Sequence, residues 1–308
     1  MSKKLTQKIR FGQKVLLIVI LLLSFNNQLF SKERSCKNNP KCKNFPKITK
    51  IEGIKYPLTM VQKQKGEKPS GDDYYIFHFK PINKTPSPYV IIIPSSGGIS
   101  EAAAVTKERY AKKLQQKGFG VIILDIFYNT GITKGTISRG PLSSMGALSS
   151  IEYIKSNFPN LTNNKFGIIG SSRGGMTVLS LAGELVRENY IYKNVKYWFD
   201  AGVAFYPSCG KQKLLMPVII FIGELDNWVS STNCKMWKNR DPEQIESGML
   251  QIFIYKNAHH GFNRELYKKL VRSTDQNHDY VGRSSKYNLV ADKDSEEKMI
   301  KFFEKKLK

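Results

Sequence analysis

Short runs of aliphatic and aromatic residues recur along the chain and alternate with longer segments of helical character. Continuous apolar runs of about four to eight residues, bounded by turn residues, are typical of strands buried on both faces. This pattern predicts strands at Tyr74–Lys80, Tyr89–Ile93, Val121–Leu124, Phe166–Ile169, Ala201–Phe205, Val218–Ile222 and Leu250–Tyr255. It predicts helices at Glu101–Lys117, Met145–Ser156, Gly174–Glu188 and Asp294–Lys306.

The alternation of buried strands and helices predicts an α/β fold, in which helices cover both faces of a mostly parallel central sheet. Ligands of such folds bind beyond the carboxyl ends of the strands. We therefore expect functional residues in the loops that follow the predicted strands. Those loops begin after Ile93, Leu124, Ile169, Phe205, Ile222 and Tyr255.

The N-terminus has the organisation of a secretory signal. Five basic residues between Lys3 and Lys14 precede the aliphatic run Val15–Leu23, which is shorter than the roughly 20 residues of a membrane span. Cleavage is predicted after Ser31, which places the mature protein in the periplasm or outside the cell. Because Leu29 fits poorly at a small-residue position, an uncleaved anchor is the alternative, and only that alternative predicts membrane association.

Two further segments follow the signal. Residues 32–70 are rich in Lys, Asn and Pro and are interpreted as a tail that leads into an edge strand near Ile48–Met60. Residues 71–308 contain the α/β domain. No internal repeat or low-complexity block is present, and the oligomeric state is left open.

The chain of 308 residues is strongly basic, with 49 Lys and Arg against 25 Asp and Glu, a net charge of +24. An anionic macromolecular partner is one interpretation. Because lysine occurs in every segment and forms no long block, we favour a general compositional bias and predict no specific nucleic-acid partner. The positive field can still attract acidic substrates.

Four cysteines lie beyond the signal: Cys36, Cys42, Cys209 and Cys234. An even number in an exported chain suggests disulfides, and four cysteines allow three pairings. The local solution, Cys36 with Cys42 and Cys209 with Cys234, is our prediction. Zinc is the rival interpretation, but the cysteines lack the CxxC spacing of zinc sites, so no metal is predicted.

The loop after Ile169 contains the motif G-x-S-x-G, formed by Gly170, Ser172 and Gly174. Between a strand and a helix this spacing makes a sharp turn that exposes the serine hydroxyl, and bulky residues at the glycine positions would collide with backbone. Ser172 is therefore the predicted nucleophile. The backbone N–H of Arg173, at the helix N-terminus, is a predicted oxyanion donor.

The loop after Ile93 reads Pro94-Ser95-Ser96-Gly97-Gly98. A glycine-bearing loop at this strand can supply the second oxyanion N–H, and Ser95 or Ser96 is the predicted donor, with the Ser96 backbone preferred. Considered alone, the same residues would be read as a plain turn before a helix.

An acid and a histidine follow the last two predicted strands. Asp226 comes after Val218–Ile222, with Glu224 as the fallback, and His260 comes after Leu250–Tyr255. A carboxylate here can orient the histidine and fix its tautomer. The chain order Ser, Asp, His is that of α/β-hydrolases, and the agreement in order and location carries the interpretation.

With these motifs the chain resembles the dienelactone hydrolase family of α/β-hydrolases over roughly residues 70–308. The segment from Tyr255 to Phe262 is similar to the family's histidine loop, in which the base precedes Gly-Phe, and this implies His260 rather than His259. The likeness of the segments around Cys209 and Cys234 to exported members favours their pairing. Two departures are Ser172 in place of the cysteine nucleophile of the best-known members, and Pro94-Ser95 where relatives often carry His-Gly.

The resemblance implies hydrolysis of a small-molecule ester or lactone with no organic cofactor. Ser95, Arg173, Tyr206 and Trp228 are predicted substrate contacts. For Arg173, binding of a substrate carboxylate and pairing with a protein acid are both open. Acyl transfer to another acceptor, peptidase action, and a non-catalytic surface-binding protein on a degenerate hydrolase fold are the alternatives.

Overall fold

The computed structural model of the chain describes residues 35–65, 71–128, 140–272 and 281–308. The predicted secretory signal and its cleavage point after Ser31 lie outside the described residues. Among the helices that are described, none is long and apolar enough to cross a membrane.

A central sheet of eight strands organises the fold. The strands run in the order β1-β2-β4-β3-β5-β6-β7-β8. β2 is antiparallel to both of its neighbours, β1 and β4. From β4 through β3 to β8, every pair of adjacent strands is parallel. Two short strands, β9 and β10, pair separately. The bounds are β1 Ile48–Glu52, β2 Asp73–Phe79, β3 Ser87–Ile93, β4 Gly120–Leu124, β5 Thr162–Ser171, β6 Ala201–Phe205, β7 Val218–Gly223, β8 Leu250–Tyr255, β9 Val271–Arg272 and β10 Ser284–Ser285.

The helices connect these strands and pack against the sheet. Their bounds are α1 Met60–Gln64, α2 Glu101–Gln116, α3 Gly140–Asn157, α4 Arg173–Ala182, α5 Glu184–Glu188, α6 Ser231–Arg240, α7 Pro242–Glu246 and α8 Leu289–Leu307. Single 3₁₀ turns cover Cys36–Asn38, Pro40–Cys42, Pro159–Leu161 and Tyr190–Tyr192. The predicted α/β fold with a mostly parallel sheet is confirmed.

The continuous apolar runs are the buried centre of the sheet. Every residue of β3, β4, β6 and β7 is buried, which is the pattern expected of strands covered on both faces. All seven predicted strands of the domain are confirmed, and Ala201–Phe205 and Leu250–Tyr255 have the predicted bounds.

The edge strand is shorter than predicted. β1 begins at Ile48 but ends at Glu52 instead of continuing toward Met60. Gly53 follows directly, and a side chain at this position would place its Cβ 2.3 Å from the Asp72 carbonyl oxygen. The backbone at Gly53 therefore packs closely against the segment at Asp72. Met60 begins the separate helix α1.

The helix predicted at Gly174–Glu188 is divided in two at Gly183, between α4 and α5. A distant segment binds the backbone at the break: the Leu215 amide donates to the Ala182 carbonyl (2.7 Å), and the Glu184 amide donates to the Lys213 carbonyl (3.1 Å). The helix is therefore divided by a tertiary contact, which the local periodicity of the sequence does not reveal.

The described part of residues 32–70, predicted as a tail that leads into an edge strand, contacts the central sheet. Phe45 packs edge-on against two rings of β2, with centroid distances of 5.0 Å to Phe77 and 5.8 Å to Phe79. Both predicted disulfides are present: Cys36–Cys42 lies in this segment, and Cys209–Cys234 joins the loop after β6 to α6. The segment is therefore part of the folded body.

Candidate active site

Ser172 stands at the turn between β5 and α4, at the carboxyl end of the central sheet. Its backbone has φ 56° and ψ −119°, a left-handed φ that residues other than glycine rarely adopt. Such a conformation costs about 1–3 kcal/mol and persists only where the surroundings impose it. The Ser172 amide donates to the Phe205 carbonyl of β6 (2.8 Å), and its carbonyl accepts from Met176 in the first turn of α4 (3.0 Å).

The glycines of the motif allow this turn because backbone approaches backbone at both positions. A Cβ at Gly170 would lie 2.1 Å from the Gly174 carbonyl oxygen, and a Cβ at Gly174 would lie 2.5 Å from the Pro94 carbonyl oxygen. No real Cβ contact is that short, so neither position accepts a side chain without a backbone shift. The spacing that the sequence pattern emphasised thus has a steric reason in the fold.

The approach of Gly174 to Pro94 brings the turn at Ser172 against the loop after β3. In that loop the Gly98 amide donates to the Ser95 carbonyl (2.9 Å), which closes a tight turn with Ser96 at its exposed tip. The contact between Gly174 and Pro94 therefore lies close in sequence to both predicted oxyanion donors, the backbone N–H groups of Arg173 and Ser96.

Asp226 follows β7 and is the hub of a compact hydrogen-bond network. One carboxylate oxygen, Oδ1, accepts from the backbone amides of Trp228 (2.9 Å) and Val229 (3.0 Å). The other, Oδ2, lies 2.7 Å from Nδ1 of His260. Its side chain has no solvent exposure, whereas Glu224, the fallback acid, is exposed.

His260 follows β8 and is buried between two aromatic rings. The Tyr206 ring centroid lies 4.4 Å from the imidazole and the Trp228 centroid 5.7 Å from it. On its backbone side His260 forms a parallel bridge with Ser285 of β10. The neighbouring His259 points elsewhere, toward Ser284, with 3.2 Å between Nδ1 and the Ser284 Oγ.

Burial lowers the pKa of His260 below its ordinary value of 6.5. The hydrogen bond and charge of Asp226 oppose this shift, and the charges of Arg264 and Arg283 add to it. The imidazole is therefore neutral near pH 7, with Nδ1 engaged by the carboxylate and Nε2 left as the acceptor. A neutral ring in this tautomer is what a general base requires.

Ser172 and His260 lie at the same sheet edge and are linked through Phe205, the last residue of β6, and the residue that follows it. Ser172 bonds the backbone of Phe205, and the next residue, Tyr206, packs against the imidazole. Within the described residues the Ser172 hydroxyl makes no hydrogen bond with His260. Such bonds are often long in ligand-free active sites and shorten when substrate binds.

The remaining predicted contacts differ in their surroundings. Tyr206 is fully buried, and its hydroxyl donates to Asn263 (2.9 Å). Its ring therefore packs against His260 on the side of the protein interior. Trp228 is partly exposed beside His260. The Arg173 guanidinium, also partly exposed, makes neither an ion pair nor a hydrogen bond with the residues that the structure describes.

Arg264 is a site residue that sequence reasoning missed. It donates to the Ser95 hydroxyl (3.1 Å) and to the Tyr267 hydroxyl (3.3 Å), so it joins the histidine loop to the loop after β3. Nothing in the sequence separated this arginine from the other 48 basic residues, because its role depends on a contact across 169 positions.

No cluster of His, Cys, Asp and Glu suited to a metal ion occurs in the described part of the chain. The pair Cys209–Cys234 instead forms a disulfide, with 5.1 Å between the Cα atoms, that closes a span of 25 positions around Val218–Gly223. It therefore connects the segments that carry Tyr206 and Trp228, the two rings beside His260.

Comparison with solved structures agrees with this architecture. A dienelactone hydrolase-like promiscuous phosphotriesterase from metagenomic libraries is 17% identical, covers 85% of this chain and 99% of its own, and gives a TM-score of 0.56. A putative dienelactone hydrolase from Klebsiella pneumoniae is also 17% identical, covers 84% and 99%, and gives 0.56. The propionate-bound esterase of Thermogutta terrifontis is 13% identical, covers 83% and 94%, and gives 0.53.

These similarities establish the fold, and no curated protein matches the sequence. The model of the dienelactone hydrolase family matches residues 75–307, which is most of the chain. That span includes all the strands of the central sheet except β1 and the first two residues of β2, together with the loops that carry Ser172, Asp226 and His260. The chain therefore belongs to the dienelactone hydrolase family and is a hydrolase that acts on ester bonds.

Proposed function

We propose that this hydrolase cleaves a carboxylic ester or lactone through a covalent acyl-enzyme on Ser172, with His260 as general base and Asp226 as its orienting acid. The observation that carries the proposal is the 2.7 Å contact between His260 Nδ1 and the buried Asp226 carboxylate. It occurs at the sheet edge where Ser172 adopts its left-handed turn. A serine, a buried neutral imidazole and an acid in this order form a machinery for acyl transfer.

The reaction proceeds in two balanced steps. His260 Nε2 accepts the Ser172 proton while the serine oxygen attacks the carbonyl carbon, and the backbone N–H groups of Ser96 and Arg173 stabilise the oxyanion. The imidazolium then protonates the leaving alcohol as the ester C–O bond breaks. In the second step His260 takes a proton from water, the resulting hydroxide attacks the acyl-enzyme, and the acid leaves as the proton returns to Ser172.

A labelling experiment tests the proposal directly. A fluorophosphonate should attach to Ser172, and the Ser172→Ala variant should neither be labelled nor hydrolyse p-nitrophenyl esters beyond a small residual rate. This probe is suited to the fold, since the Thermogutta terrifontis esterase 2 is described as phosphorylated by paraoxon. His260→Ala should lose turnover to a similar extent because the two residues act as one unit.

His259→Ala is the matched control, because it removes a neighbouring imidazole that contacts Ser284 instead of Asp226. It should retain most of the activity. Full activity in folded Ser172→Ala would refute the serine mechanism and favour a different nucleophile. A wild-type protein that is neither labelled nor active would favour the non-catalytic alternative.

We also infer that the protein is exported. Two disulfides are typical of oxidising compartments, and the basic stretch and aliphatic run before Ser31 have the organisation of a secretory signal. An intact mass that retains residues 1–31 in protein from the native envelope would contradict cleavage.

A further inference from the structure

The N-terminal disulfide closes a small loop that packs on the carboxyl edge of the sheet. This cystine loop, Cys36–Cys42, contacts two segments there, the end of β4 and the loop after β3. It also lies beside α2, the helix that follows the loop after β3. Nothing in the hydrolytic machinery described above uses it.

Asn39 lies in the middle of the cystine loop and makes its contact with the active-site loops. Its side-chain Nδ2 donates to the Ile99 carbonyl over 2.7 Å, in a buried environment. Its Oδ1 accepts from the Lys41 amide at 3.0 Å and so caps the second 3₁₀ turn of the loop. Only 7% of Asn39 is exposed, so its side chain is largely shielded from water. The amide is thus fixed in orientation at both of its ends.

A second anchor holds the cystine loop in place. Asp125, which follows β4 and is fully buried, accepts through Oδ2 from the Ser35 hydroxyl and from the Cys36 amide, both at 2.9 Å. Its other oxygen accepts from the Phe127 amide at 3.1 Å. The disulfide and Asp125 together limit the positions that Asn39 can take.

Ile99 closes the segment whose backbone supplies an oxyanion donor. The turn at Ser95–Gly98 is held on one side by Arg264, which donates to the Ser95 hydroxyl, and on the other by Asn39 through Ile99. Ile99 itself has no exposed surface. Oxyanion donors act only when they are held near the position that the oxyanion will occupy, so both attachments bear on catalysis.

We propose that Asn39 is a positioning residue for ester hydrolysis: held by the Cys36–Cys42 disulfide, it fixes the loop after β3 and thereby the Ser96 oxyanion donor. The inference rests on the proposed function of Ser172 and Ser96. If Asn39 has this role, turnover depends on formation of the Cys36–Cys42 disulfide, so that the chain reaches full activity only in an oxidising compartment.

The decisive variant is Asn39→Asp. Its carboxylate still caps the Lys41 amide but cannot donate to Ile99, so the test isolates the single bond between the cystine loop and the active-site loop. We expect kcat to fall roughly 10- to 100-fold, with KM near the wild-type value. The kcat is calculated per Ser172 labelled by fluorophosphonate at saturation, so that loss of folded protein does not contribute.

Asn194→Asp is the matched control, because Asn194 Nδ2 donates to the Lys55 carbonyl over the same 2.7 Å at an exposed position away from the three catalytic loops. It should leave kcat unchanged. A kcat per labelled site in Asn39→Asp equal to that of the wild type would overturn the proposal. A fall in the yield of folded protein alone would also overturn it, since that result indicates a purely structural bond.

The disulfide gives an independent arm that does not require Asn39→Asp to fold. The double variant Cys36→Ser, Cys42→Ser retains Asn39 and the second disulfide, and it should show the same selective loss of kcat. Full kcat in this variant would exclude the dependence on oxidation. The proposed function fails separately, by absence of turnover and labelling in the wild-type protein.

Discussion

The proposed nucleophile, Ser172, and its proposed base, His260, are held in place by different kinds of interaction. Ser172 is positioned by backbone: a left-handed φ, two glycines whose Cβ positions are occupied by carbonyl groups, and hydrogen bonds from its own peptide groups. His260 is positioned by side chains: the Asp226 carboxylate at 2.7 Å and two aromatic rings. The serine side should therefore be sensitive to added volume, and the histidine side to altered charge and hydrogen bonding.

The largest effect is expected on the histidine side. Asp226→Asn keeps the size of the side chain but offers its amide N–H to Nδ1, which favours the wrong imidazole tautomer. We expect kcat to fall about ten-thousand-fold, or about 5 kcal/mol of transition-state stabilisation, as in the serine-protease precedent. Steady-state ester hydrolysis measures it. Glu224→Gln is the control, since Glu224 is exposed, and equal losses in the two variants would contradict the assignment.

On the serine side, Gly170→Ala should act through the fold. Its methyl group would lie 2.1 Å from the Gly174 carbonyl oxygen, so the turn must open. We expect a loss of about 3 kcal/mol in the free energy of unfolding, with reduced activity in the folded fraction. Denaturant unfolding measures the change. Gly210→Ala is the matched control because nothing lies within 4 Å of its Cβ position; wild-type stability in Gly170→Ala would show that the turn can adapt.

The smallest effect concerns pH. His260 must be neutral to accept the Ser172 proton, and burial lowers its pKa below 6.5, so the rate should rise with pH through a midpoint below 6.5. The positive charge of Arg283 lowers this pKa further. Arg283→Gln should therefore move the acid limb of kcat/KM to higher pH, whereas Arg283→Lys, which keeps the charge, should not. A shift toward lower pH in Arg283→Gln would contradict the electrostatic role.

The sequence already determined the central sheet and pointed to the candidate catalytic groups. Strands buried on both faces leave continuous apolar runs, and a strand-turn-helix with Gly at two positions around Ser172 leaves a short motif, because both patterns are imposed within a few residues. Asp226 and the histidine loop were located by strand order, and the family resemblance selected His260 over His259. The same local reasoning gave both disulfides, since each joins cysteines that are near in sequence.

Only the tertiary structure decided the interactions that join distant segments. The division of one predicted helix at Gly183, the attachment of Arg264 to Ser95, and the contact of Asn39 with Ile99 depend on partners 31, 169 and 60 positions away. A residue's pattern of neighbours along the chain records whether it is buried, but not which distant group it meets. For that reason the residues proposed to carry the chemistry could be selected from the sequence, and the residues that hold them in position could not.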